Sequence, residues 1–179
     1  MVREARLDQQ PQGGRVPVES GWFVLNASDA AWLTGAFGTY TRFEGEDAAR
    51  FPSVGINIGI LQPGQPSSLY HAENAQEDFL VLSGECLLII EDEERPLRRW
   101  DFVHCPVWTE HVFVGAGEEP CVMLAVGARP SDEVVYPVSD HAQRHGAGVS
   151  VESRDGDEAY AGIPPDVPTA YVPGWLPGA

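Results

Sequence analysis

The chain has 179 residues, enough for one domain with a substantial core, and carries a formal net charge of −16. That charge opposes nucleic-acid phosphate and anionic lipid alike, so neither is expected as a partner. Lys is absent and all 11 basic residues are Arg, which excludes Schiff-base chemistry by a lysine, including the usual pyridoxal phosphate linkage.

No apolar run reaches the roughly 18 residues of a membrane span. Met1 to Glu19 is polar and lacks the apolar stretch of a signal peptide, so a cytoplasmic location is expected. The chain reads as a single unit, 1–179. Residues 20–54 supply N-terminal strands and a helical turn, 55–127 the core, and 128–179 an irregular arm with seven Gly and seven Pro from 127 onward.

In chain order, Asn26 or Ser28 can cap a single helical turn closed by Gly35. Gly38 to Glu44 and Val54 to Leu61 read as strands, with a turn at Gln62 to Pro66. His71 and Glu73 sit two residues apart on extended chain and so share a face. Glu77 opens the next apolar run, Asp78 to Leu82, and Ser83-Gly84 ends it. Glu85 to Ile90 is a strand, and Glu91 to Glu94 a charged hairpin tip. The chain returns through Pro96 to Arg99 and runs on as Trp100 to Cys105. Pro106 stops that strand, and His111 begins another with Val112, Phe113 and Val114. Cys86, Cys105 and Cys121 lie among apolar strand residues and read as core packing. In the arm, Ser139 to Gly146 carries the one helical signal, and His141 and His145 stand at i,i+4 on what reads as a short solvated helix. Tyr160, Tyr171, Trp175 and Leu176 are apolar anchors that should lay the arm on the protein surface or on a partner subunit.

Strand alternation can thus aim two imidazoles and two carboxylates, His71, Glu73, Glu77 and His111, at one point. The pattern resembles the cupin superfamily. Its first motif, G-x5-H-x-H-x3-4-E-x6-G, is matched by His71, Glu77 and Gly84, with Glu73 in place of the second His and Gly64 one residue early. Its second, G-x5-P-x-G-x2-H-x3-N, is matched by Pro106 and His111. Trp100 and Trp108 stand in place of its glycines and Gly115 in place of its Asn.

The resemblance implies an all-β fold, the double-stranded β-helix or jelly-roll barrel, with short helical turns and the C-terminal arm added. It implies a divalent metal held in the lumen by His71, Glu77 and His111, with Glu73 as fourth ligand or close neighbour. Imidazole and carboxylate suit Zn, Fe, Mn or Ni, and the second carboxylate favours the harder Mn and Fe(II) alongside Zn. The alternative is a hydrogen-bonded polar cluster around water. His71, Glu73 and His111 also follow the order of a two-His, one-carboxylate iron triad. Its oxoglutarate-dependent branch is disfavoured, because no Arg follows His111 before Arg129. An oxygenase that binds substrate directly stays open.

The expected function is that of a metal-dependent enzyme, an oxygenase, isomerase or lyase, acting on a small molecule in the lumen, with Glu73 or Glu77 as general base. The alternative is a non-catalytic binding or sensing module. Trp108 is placed at the barrel mouth. Several strands are apolar on both faces, so the flanks or a second copy must cover the outside, and a homodimer is expected.

Overall fold

The structure, a computed structural model, describes residues 1–178. Strands β1 (Leu7–Gln9) and β2 (Arg15–Pro17) form an antiparallel ribbon ahead of β3 (Trp32–Gly35), β4 (Gly38–Arg42) and β5 (Val54–Leu61). Then come β6 (Ala72–Glu73), β7 (Glu77–Ser83), β8 (Glu85–Ile90), β9 (Glu93–Arg98), β10 (Phe102–Cys105), β11 (His111–Ala116) and β12 (Cys121–Ala128). The arm adds β13 (Val134–Val135), helices α1 (Asp140–Arg144) and α2 (Gly156–Ala159), and β14 (Val167–Thr169). No described helix is long and apolar enough to cross a membrane.

The main sheet has seven strands in the order β10-β7-β12-β5-β4-β3-β14, and a second has three, β11-β8-β9, all antiparallel. Side chains from both sheets meet in one core. Phe79, Val81 and Met123 of the larger sheet pack with Cys86, Leu88 and Phe113 of the smaller. This is the double-stranded β-helix. The three cysteines are buried and free, and all three belong to this core.

Apolar residues on the outer faces are covered by the chain itself. Trp32, Ile60 and Val122 lie under Tyr171, Trp175 and Leu176 of the arm, and Trp175 stands edge-on to Trp32 at 5.4 Å between ring centroids. On the smaller sheet, Ile89, Val112 and Val114 are covered by Tyr70 with Ala142 and Ala147. The two-faced apolar strands therefore need no second copy to bury those residues.

Local chemistry explains where the expected elements moved. Asn26 caps a turn, its Oδ1 accepting from the Ser28 N–H at 2.9 Å, but the helix ends at Asp29. Trp32 to Gly35 is a strand instead, because burial of Trp32 and pairing with β4 outweigh a single capped turn. The tip between β8 and β9 is just Glu91 and Asp92, with φ of 49° and 60°, the mirror-image turn that suits a two-residue hairpin. Glu93 and Glu94 belong to β9. Trp100 and Trp108 keep the left-handed backbone of the glycines they replace, with φ of 75° and 65°.

Candidate metal centre and its lumen

His71 and His111 form an isolated antiparallel bridge in which each main-chain N–H donates to the other's carbonyl, at 3.2 and 2.8 Å. Their rings lie 4.9 Å apart. Each Nδ1 sits against a carbonyl oxygen, His71 on Leu69 at 2.7 Å and His111 on Thr109 at 3.0 Å. A carbonyl can only accept, so Nδ1 carries the proton and Nε2 keeps its lone pair. This is the arrangement by which proteins orient metal-binding imidazoles.

Glu77, the first residue of β7, brings Oε2 to 3.4 Å from His111 Nε2. One donor atom from each of His71, Glu77 and His111 lies within 4.8 Å of the others. Burial lowers the pKa of His71, and it lowers that of His111 to about 4, helped there by the neighbouring His71. Both imidazoles are therefore neutral at pH 7, as metal ligands must be. Burial and then the Glu73 charge push the Glu77 carboxyl up to about 8. An acid so poorly solvated, with only neutral imidazoles beside it, fits a site built for a cation.

Glu73 stands apart from that trio. Its Oε1 is 3.7 Å from His71 Nε2, and its side chain is 40% exposed. His104 lies on the outer face, its Nδ1 2.7 Å from Asp78 Oδ1, while Val103 and Cys105 on either side turn to the core. The i,i+4 pair on α1 also has a structural partner: His141, Arg144 and His145 surround Glu94 Oε1 at 3.1, 3.1 and 3.4 Å and tie the helix to β9. Trp108, expected at the mouth, is not among the residues lining the lumen. Its N–H donates to the Glu73 carbonyl.

The trio faces a cavity of about 330 Å³ with Leu61, Phe79, Phe113 and Met123 as apolar walls. Sequence reasoning did not place the polar lining residues Thr39, Tyr40, Asn57, Ser67 and Ser68 in the site, nor Tyr160 and Asp166 of the arm. Tyr160 accepts a hydrogen bond from the Leu69 N–H at 3.2 Å, which leaves its own hydroxyl proton free. Asp166 accepts from the Tyr40 hydroxyl at 2.9 Å. Arg129 does not reach the lumen. Its guanidinium clamps Glu44 through both nitrogens, at 2.7 and 2.5 Å, and donates to the Phe51 carbonyl.

Residues 57–127 match the family model of the cupin domain. The chain contains a cupin domain. Among solved structures, the polyketide cyclase RemF from Streptomyces resistomycificus is similar at 14% identity and a TM-score of 0.54, over 63% of this chain and 83% of that one. A cupin 2 domain-containing protein from Halorhodospira halophila is similar at 20% identity and a TM-score of 0.51, over 63% and 78%. Both establish the fold. A provisionally named sugar phosphate isomerase from Acidithiobacillus ferrooxidans is 30% identical with a TM-score of 0.47, and the match covers 55% of this chain and 64% of that protein's length. No curated protein matches the chain.

Proposed function

We propose that the protein is a metal-dependent enzyme of the cupin type that transforms a small molecule inside its lumen. The observation that carries this reading is the convergence of His71 Nε2, His111 Nε2 and the Glu77 carboxylate on one point of an apolar cavity. His111 is buried and His71 and Glu77 are largely so, and such polar groups are costly to keep in an apolar cavity without a use. The donor set, two imidazoles and a carboxylate, suits Zn, Fe, Mn or Ni. When bound, such an ion supplies Lewis acidity toward a substrate oxygen.

The chain's own residues do the rest. The backbone carbonyls of Leu69 and Thr109 fix the two rings, and Glu77 loses its proton as it becomes a ligand. Glu73, beside His71 but lining a neighbouring surface cavity rather than the lumen itself, is proposed to take a proton at its Oε1 and pass it to water, or else to complete the ligand set. Tyr160 donates a hydrogen bond to the bound molecule. The wall residues Phe79, Phe113 and Met123 exclude water from its apolar part.

Glu73→Gln separates the two roles of that residue, since a base mutant keeps its metal and loses turnover, whereas a ligand mutant loses both. The whole reading is tested by screening metal-loaded protein for oxygen uptake, isomerisation and elimination on panels of small oxygenated molecules. A turnover abolished by His111→Ala supports an enzyme. Ligand binding without any turnover across the panels favours the alternative, a binding or sensing module. A homodimer remains part of the proposal, to be read from light scattering.

A further inference from the structure

The lumen has a second polar end, built by the arm. β14 pairs with β3 in the register Val167↔Thr34, which fixes the backbone beside Asp166. The Asp166 carboxylate then lies against Gly35. A Cβ at Gly35 would stand 1.8 Å from Oδ1, so any side chain there would push the carboxylate out of this position. Tyr40, pointing inward from β4, donates to Oδ2. The Tyr40 phenol is pushed up to about 12 by burial and then by Asp166, so it stays a donor.

We propose that Asp166, held by Tyr40 and Gly35 at the mouth of the lumen, selects a substrate carrying a small organic cation such as an ammonium group. This rests on the lumen being the binding site of the proposed function. Among the described residues, no Arg lines the cavity, and the exposed Asp166 carboxylate takes part in no ion pair. Arg42, whose charge is felt by Tyr40, lines a different cavity with Glu44 and Glu46. The walls near Asp166 are aromatic, Phe37, Tyr40 and Tyr160, and ring faces attract a cation. A chain charge of −16 raises the local concentration of cations further. A phosphate or carboxylate group would meet Asp166 with nothing to neutralise it. The substrate is therefore cationic at the mouth, with an oxygen-bearing end toward His71, Glu77 and His111.

The test uses choline and its uncharged carbon isostere dimethylbutanol as probes, with calorimetry or ligand-observed NMR on the full chain. Wild type should bind choline about tenfold more tightly than the isostere, the size of a partly desolvated cation contact. Asp166→Asn, which keeps the Tyr40 hydrogen bond and the shape, should remove that preference, and Gly35→Ala should weaken it while the melting curve stays cooperative. The same comparison on His111→Ala reads the cation end without the metal ligands. A preference kept there while wild type holds no metal would sink the metal centre and leave this inference standing. Equal affinity for the two probes, no choline binding, or a preference undiminished in Asp166→Asn would overturn it.

Discussion

His71 and His111 hold each other through two main-chain hydrogen bonds, so the two halves of the centre are registered by backbone rather than by side-chain chance. Glu77 is placed independently, by β7 pairing with β10 and β12. The donor set is thus preorganised on rigid strands, as a site needs if binding energy is not to be lost in ordering it.

Glu77 gives the protein a pH signature. Its folded pKa, about 8, lies above its ordinary value of 4.5. The folded state therefore binds this proton more tightly than the unfolded state does. The stabilisation is complete below pH 4.5 and is lost as pH rises to about 8. Metal-free protein should melt at lower temperature at pH 9 than at pH 6, and Glu77→Gln should reduce that difference. Metal uptake at pH 7 should release close to one proton, measured by calorimetry in buffers of different ionisation enthalpy. A value near zero would mean that Glu77 is not displaced from its proton.

The His pair works in the opposite sense. With folded pKa values lowered from 6.5, that of His111 to about 4, the neutral rings contribute stability present above pH 6.5 and lost as pH falls toward 4. Acid unfolding should therefore start at lower pH in His111→Gln than in wild type. A melting profile between pH 7 and 4 unchanged by the substitution would contradict this.

Trp100 is 61% exposed yet sits at φ 75°, a conformation that costs a non-glycine residue about 1 kcal/mol. Its visible compensation is the Arg99 guanidinium 5.1 Å above the ring. Trp100→Gly should raise the melting temperature by about 2–4 °C. A loss of several degrees would show that the indole packs more tightly than its exposure indicates.

Arg129 and Glu44 form a two-point clamp on a carboxylate whose side chain is only 7% exposed. Burial raises the Glu44 pKa, but the Arg129 hydrogen bonds, the Phe51 N–H and the charges of Arg129 and Arg42 together outweigh it and hold the carboxyl below its usual value. Arg129→Ala should cost about 3–5 kcal/mol by stranding that charge. Adding Glu44→Gln should restore part of it, as a double-mutant cycle by chemical denaturation would show.

Much of the core was legible because its signals are local. Val54 to Leu61, Glu85 to Ile90 and the run from His111 carry β-branched and aromatic residues bounded by turn chemistry, and the structure places strands there. The motif spacing singled out His71, Glu77 and His111, and the structure brings these three together. The arm was opaque, since its Gly and Pro erase periodicity and its anchors act at long range. Asp166 meets Tyr40 across 126 positions of sequence, and nothing near Asp166 announces that contact. Residues 30–35 misled because the cap at Asn26 is a local signal, whereas Trp32 is committed to β-pairing and to the arm. Trp100 and Trp108 departed from the glycine pattern in identity while the backbone kept the glycine shape.

The central claim is tested most directly by metal content. After incubation with Mn, Fe(II), Ni and Zn and removal of excess, elemental analysis of wild type should give about one divalent ion per chain. His71→Ala and His111→Ala, folded by circular dichroism, should each give close to none. Wild type without bound metal, or both variants retaining a full equivalent, would contradict the assignment of the centre.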